Sequence, residues 1–320
     1  MLMKKVTAAL IALVLLTFCG CSAQKNADAS SENEDAVTFT DALGREISVG
    51  KNPSRVAALL GSFADVWVLS GGTVCAAAED AWDDFGLDFT DAVNLGGAHS
   101  PSLEALLSAN PDFVIASAST AADVEMKDVL GDAGITVAYF DVDCFEEYLS
   151  MLNICTDITG RKDLYEKNGL AVKAEIEKIK DECAGAGLGE EERTVLLLRA
   201  ASGSVKAKGS EGTILGEMLK DLGIINIADS DKTLLDSLSV ENVIRQEPYR
   251  IFVVTMGDDT EKALANLTRM MDENPAWGLL EAVRENRMHI MERKLFNIKP
   301  NAKWAEAYER LSEILLEKTE

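Results

Sequence analysis

Two histidines, His99 and His289, and four cysteines outside the N-terminal segment, Cys75, Cys144, Cys155 and Cys183, are the chain's main stock for metal or covalent chemistry. Their spacing permits little of it. Two histidines cannot build a three-histidine site for a bare transition metal, and the cysteines form no Cys-x-x-Cys pair. There is no Gly-x-Gly-x-x-Gly, P-loop, Gly-x-Ser-x-Gly or His-Glu-x-x-His, and no catalytic triad can be assembled. What remains is the chemistry of recognition. Arg199 ends the apolar run Thr194 to Leu198, where an unpaired guanidinium is expensive, so it must meet a carboxylate, a phosphate or an anionic ligand. His99 stands in the loop Gly96-Gly97-Ala98-His99-Ser100 before a helix start, where a ligand can reach it. His289 lies in a strand-like run and reads as structural.

The elements that must position these groups follow from hydrophobic periodicity. Arg55 to Leu60, Thr73 to Ala78, Phe113 to Ala116 and Ile135 to Tyr139 read as buried strands. Phe63 to Ser70, Ser102 to Ala109, Val124 to Gly131 and Phe145 to Thr156 read as helices. The pattern recurs with strands near Thr194 to Arg199 and Arg250 to Thr255, and with helices near Thr213 to Leu222, Ser239 to Gln246, Glu261 to Met271 and Lys303 to Leu316. This βαβ alternation predicts an α/β fold with mostly parallel sheets, in two Rossmann-like lobes, residues 37–160 and 185–320. Between them, in 161–184, Tyr165, Val172, Ile176, Ile179 and Cys183 share one helical stripe. A single helix over Lys162 to Cys183 would run roughly 33 Å. It is either a stiff spine joining the lobes or a long core helix within one of them, and Gly185 to Gly189 stops it.

An internal repeat supports two lobes. Ser100, Ser102, Glu104, Leu106, Leu107 and Pro111 recur at one constant offset as Ser237, Ser239, Glu241, Val243, Ile244 and Pro248. In each copy the first serine can cap a helix, a glutamate faces the positive end of its dipole, and proline stops the helix before a strand. Ligands of open α/β sheets bind beyond the carboxyl ends of strands. An interlobe cleft would therefore draw Ser62 and Phe63, Trp82 with Asp80 and Asp83, His99, and Ser117 with Ser119 from the first lobe. From the second it would draw Arg199, Lys208, Met256, Phe296 and Lys299. Phe63 and Trp82 read equally as core aromatics.

The N-terminus sets the compartment. Lys4 and Lys5 precede an apolar run, Val6 to Phe18, that as a helix covers roughly 20 Å, too short to cross about 30 Å of hydrocarbon. Residues 1–20 read as a lipoprotein signal, with Gly20 before an acylated Cys21; the alternative is an ordinary signal cleaved near Ser22 or Ala23. Residues 21–36 are polar and read as a flexible tether. Without Lys4 and Lys5 the chain keeps 29 basic against 54 acidic residues. That balance opposes nucleic acid and anionic membrane surfaces as partners. The four later cysteines read as buried free thiols, or as one disulfide involving Cys144 or Cys155 in an exported protein.

Five further pieces stand in a characteristic order: Asp41-Ala42-Leu43-Gly44-Arg45-Glu46 with Pro53-Ser54-Arg55-Val56-Ala57, then Ser100-Pro101-Ser102-Leu103-Glu104, Asn110-Pro111-Asp112-Phe113-Val114-Ile115, and Asn274-Pro275-Ala276-Trp277. In these the chain resembles the periplasmic-binding-protein-like receptors of ABC importers for iron-siderophore complexes, haem and cobalamin, over nearly all of its mature length. The resemblance implies two α/β lobes on one long helix that bend little, and no catalysis. It implies a monomer, tethered by lipid, that works with an ABC permease dimer and its ATPase. It also implies that Glu104 and Glu241 dock on arginines of the two membrane subunits. Aromatic walls with one or two cations suit a bulky, partly anionic chelate, although Asp80, Asp83 and Asp84 would repel an anion unless they face solvent. Neither histidine stands beside a tyrosine or methionine as an axial haem ligand would. The expected cargo is therefore an iron-siderophore, then a corrinoid, then haem, and no protein-metal bond or cofactor is required. Capture of a bare metal, a receptor serving a sensor, and an exported enzyme are the competing readings.

Overall fold

Residues 35–257 and 259–317 are described by a computed structural model. The signal, Cys21 and the tether up to residue 34 lie outside the described residues. The first described elements form an antiparallel hairpin, β1 (Ala36–Thr40) and β2 (Glu46–Gly50), and Ala36, read as the end of the tether, is the first residue of β1. The motif Asp41 to Glu46 is the turn of this hairpin. The Asp41 carboxylate accepts the backbone N–H groups of Leu43 and Arg45 and pairs with the Arg45 guanidinium. Gly44 takes the left-handed conformation the turn needs, φ 74°. Arg45 then stacks on Tyr139 and donates to the Val137 carbonyl, tying the hairpin to the first lobe.

That lobe is a parallel sheet of β3 (Val56–Ala58), β4 (Ala76–Ala77), β5 (Val93–Asn94), β6 (Phe113–Ser117) and β7 (Thr136–Phe140), in the order β5-β4-β3-β6-β7. The second contains β8 (Thr194–Ala201), β9 (Ser204–Ala207), β10 (Ile225–Asn226), β11 (Arg250–Thr255) and β12 (Met288–Ile290). Its order is β10-β8-β11-β12, all parallel, with β9 folded back antiparallel on β8. The hairpin and β9 escape the periodicity reading because they are short and largely exposed. The single helix expected over Val124 to Gly131 is two, Ala121–Glu125 and Lys127–Asp132, broken at Met126.

The internal repeat carries over into the structure, with the cap on the second serine of each copy and not the first. Ser102 and Ser239 each cap a helix, accepting the N–H of Ala105 and Asn242. Both helices end on a residue in the left-handed region just before the proline, Asn110 at φ 48° and Glu247 at φ 47°. Asn tolerates that conformation and Glu does so less readily. In the first lobe Asp112 accepts the N–H groups of Ser54 and Arg55, and the Arg55 guanidinium donates to the carbonyls of Ala109 and Asn110. The Pro53-Ser54-Arg55 and Asn110-Pro111-Asp112 pieces thus staple a helix end to a strand start.

The segment between the lobes is helical from Lys162 to Gly185, but not uniformly. A π-turn, Glu166–Leu170, separates Lys162–Tyr165 from Ala171–Gly185. Inside that turn the Asn168 carbonyl accepts from the Tyr148 hydroxyl, and its side-chain amide donates to the Leu69 carbonyl. At Gly169 a Cβ would lie 2.7 Å from Leu149, so glycine lets the spine press against the Phe145–Thr159 helix. One core passes through both lobes: Phe113 and Ile115 of the first, Ile176 and Cys183 of the spine, Val195 and Leu197 of the second, and Trp304, Tyr308 and Leu311 of the terminal helix Trp304–Leu316. Separate cores fill the outer faces of each sheet. Cys75, Cys144, Cys155 and Cys183 are free thiols, with Cys155 pushed up to about 12 by burial. Among the described residues no helix is long and apolar enough to cross a membrane.

Candidate functional site

Both sheets reverse strand order once, between β3 and β6 in the first lobe and between β8 and β11 in the second. These are the places where connections leave opposite faces and open a crevice. A cleft of about 770 Å³ lies over them and is lined from both lobes. Ser62 follows β3, Ser117 ends β6, Arg199 lies near the end of β8 and Met256 follows β11; all four line it, together with His99, Ser119 and Lys299.

Four other expected residues fall elsewhere. Phe63 and Phe296 are buried in the main core. Trp82 packs edge-on against Phe89 and faces that core rather than the cleft. Lys208 does not line the cleft, because β9 carries the chain back along β8 until the Lys208 N–H meets the Leu197 carbonyl. The aromatic ring that lines the cleft is Phe85. Strand-end reasoning did not find Phe85, Asp143, Thr213 or Arg293. Asp143 had a usable signal, since it lies only three residues beyond β7.

Gly61, the first residue of the helix that follows β3, has no room for a side chain: a Cβ would stand 2.4 Å from the backbone nitrogen of Ala81. Its N–H donates to Asp80 at 2.9 Å. This contact holds the acidic wall of Glu79, Asp80, Asp83 and Asp84 against the cleft. Burial pushes the Asp80 carboxyl up. Asp84 is neutralised across the cleft: Arg293 of the second lobe forms two hydrogen bonds to its carboxylate, at 2.5 and 3.0 Å, and Lys294 donates to its carbonyl at 2.6 Å. A second bridge is made by Asn301, whose amide donates to the Ser62 carbonyl and to Asp65, both at 2.8 Å.

The remaining two cations are poorly compensated. Arg199 is lowered by burial, which Asp143 opposes, and its Nε is buried with no hydrogen-bond partner. Lys299 is also lowered by burial, again opposed first by Asp143, and its ammonium lies 5.8 Å from the centre of the Phe63 ring. Neither forms an ion pair with any carboxylate among the described residues. Phe63 therefore serves the site from below, as the π surface under Lys299. Beneath the cleft floor, Asp123 is fully buried and accepts the Ser117 N–H at 2.8 Å, with its other oxygen unpartnered. Burial raises it from 3.8 to about 7, and Asp80 adds to the rise. A carboxyl raised in the folded state stabilises the fold fully below its unfolded value and loses that contribution as pH rises through the folded value. Asp123→Asn, which can still accept from Ser117, should therefore raise the melting temperature at pH 8 by several degrees, and by less at pH 4. A gain independent of pH, measured by thermal unfolding, would mean that Asp123 does not titrate in this range.

Among the described residues no group of three or more His, Cys, Asp and Glu side chains is gathered to hold a metal. The arrangement offers two desolvated cationic hydrogen-bond donors on the floor beside Asp143, a hydroxyl belt of Ser62, Ser117, Ser119 and Thr213, and an acidic rim. It contains no aligned nucleophile and base.

Comparison with known proteins bears on the fold and the family. The uncharacterized ABC transporter substrate-binding lipoprotein YvrC of Bacillus subtilis (strain 168) is 23% identical over 289 residues, spanning 89% of this chain and 88% of that protein. The Fe(3+)-citrate-binding protein YfmC of the same organism is 25% identical over 302 residues, with 89% and 87% covered. The periplasmic heme-binding protein RhuT from Roseiflexus sp. RS-1, a solved structure, has a TM-score of 0.68 at 19% identity, over 84% of this chain and 100% of that one. A family model described as periplasmic binding protein matches residues 56–295, which hold both parallel sheets, and this chain belongs to that family of solute receptors.

Proposed function

We propose that the protein is the receptor of an ABC importer, capturing a ferric chelate of siderophore type in the interlobe cleft and presenting it to a permease dimer with its ATPase. A corrinoid is the next choice. A lipid on Cys21 holds it at the outer face of the cell membrane, and it acts as a monomer. The observation that carries this reading is the pair Arg199 and Lys299: two desolvated cations without ion-pair partners, in a cleft large enough for a chelate. The chelate brings its own metal ligands, which suits a site with no metal-binding cluster. The Fe(3+)-citrate-binding relative supports the same class of cargo.

Haem is the second reading. It is favoured by His99 and Met256, which line the cleft from opposite lobes, and by the likeness to a haem-binding structure. A thermal-shift screen of the unlipidated mature chain, residues 22–320, against ferric siderophores, haem, cobalamin and bare metal ions separates these readings. A ligand at a hundred times its dissociation constant stabilises the native state by about 2.7 kcal/mol. Stabilisation by bare ions alone overturns the chelate reading, and stabilisation by haem alone with a shifted absorption band replaces it.

For delivery, Glu104 and Glu241 supply the contact to the permease. Both are exposed in the first turn of repeated helices, Leu103–Ala109 and Val240–Gln246, and Glu241 is steadied by the Ser239 hydroxyl at 2.9 Å. Charges so placed fix orientation and encounter rate. Reversing both, Glu104→Arg with Glu241→Arg, should abolish uptake by cells and leave ligand affinity unchanged. Uptake that persists at the parent rate removes these residues from docking.

A further inference from the structure

The chelate reading leaves the charge of the cargo open, and the cleft's own charges address it; the selectivity they imply rests on that reading. Five carboxylates line the cleft, Glu79, Asp80, Asp83, Asp84 and Asp143, against three cations, Arg199, Arg293 and Lys299. Asp84 and Arg293 cancel one another directly. Asp143 is placed to act on the other two cations. It lines the cleft beside the second lobe, with a carboxylate oxygen 3.9 Å from where a Cβ on Gly212 would stand. It is the foremost compensating charge felt by both Arg199 and Lys299, yet it forms an ion pair with neither. The two cations can therefore still donate to oxygen atoms of a ligand, but Asp143 already offsets part of their field. Any further negative charge on the ligand meets Asp143 at the floor and Asp80 and Asp83 at the wall.

A repulsive element of this kind is how a site discriminates among ligands that offer similar oxygen donors. A ferric tris-catecholate carries three negative charges. A ferric tris-hydroxamate is neutral, since three monoanionic groups balance the ion, and its oxygens still accept hydrogen bonds. A protonated amine on such a chelate adds one positive charge, for which exposed Glu79 and Asp83 at the rim are suitable partners. We propose that Asp143 and the acidic wall make this cleft select by net charge, so that its cargo is a neutral or cationic ferric hydroxamate, its oxygens on Arg199 and Lys299, and not a polyanionic catecholate or citrate complex.

The test uses the unlipidated mature chain and four ferric probes: a tris-hydroxamate with a free terminal amine, the same chelate N-acetylated, a tris-catecholate, and citrate. Affinities are read by quenching of tryptophan fluorescence. The expected order is amine, then acetylated, then the two polyanions, with at least a 30-fold gap between first and last. Asp143→Asn should narrow the gap between hydroxamate and catecholate at least fivefold. Asp83→Asn, at an exposed position that folding does not depend on, should remove the advantage of the free amine over the acetylated form. Catecholate or citrate bound as tightly as the hydroxamates, or a gap unchanged in both variants, overturns the inference while leaving the chelate reading standing. Failure of all four probes to bind overturns both.

Discussion

Arg199→Met loses chelate binding by at least about 30-fold, a change of about 2 kcal/mol or more, while the empty protein melts no lower than the parent. The two halves of this result come from one cause. In the empty cleft the guanidinium is desolvated, its Nε has no acceptor, and Asp143 helps only at a distance. Holding a charge there costs stability that an apolar side chain of similar length does not. The cost is recovered when a ligand oxygen arrives. A structural arginine would behave in the opposite way, as Arg45 should: paired with Asp41, stacked on Tyr139 and bonded to a backbone carbonyl, it stabilises the empty protein. Calorimetric titration together with thermal unfolding separates the cases. A variant that binds normally, or one that binds poorly because it is largely unfolded, contradicts the assignment.

Trp304→Ala destabilises the protein by about 3–5 kcal/mol, the range for deleting a large buried aromatic side chain. Trp304 is fully buried at the start of the terminal helix. Its ring meets Phe145 edge-on, with centroids 6.1 Å apart, and Tyr308 at 6.4 Å. The indole N–H is buried without a partner, and an orphaned donor costs about 1–3 kcal/mol. Trp304→Phe, which removes that donor while keeping most of the ring, is therefore expected to cost much less than Trp304→Ala. Denaturant midpoints of the two variants check the ratio. Equal losses would mean that ring volume is not what Trp304 contributes.

Topology was the legible part of this chain because parallel strands buried on both faces announce themselves as apolar runs, and strand ends then point to the crevice. That rule reached Ser62, Ser117, Arg199 and Met256. It failed at Phe63 for a geometric reason: neighbours on a helix point about 100° apart, so when Ser62 faces the cleft Phe63 turns into the core. Lys208 was misplaced because the exposed strand β9, which reverses the chain, leaves little apolar trace. The Asp84 and Arg293 pair could not be read at all. Its members lie on different lobes, and nothing local to either residue specifies the other. The repeat, by contrast, was visible as residue types, and its matching left-handed turns at Asn110 and Glu247 give it a backbone reason.

The core that passes unbroken beneath the cleft has a corollary for transport. Swinging the lobes apart would pull Phe145 and Trp304 from each other and wet the apolar surface between them, at about 25 cal/mol for each Å² exposed. A continuous core of this kind resists wide opening, which favours a bowl over a trap. A bowl keeps nearly the same outline full or empty. If Glu104 and Glu241 dock as proposed, loaded and unloaded receptors present the same two glutamates to the permease, and empty copies compete for it. On that reading the work of prising out the cargo would fall to the permease and its ATPase, and the receptor's share of the task would end with a firm grip.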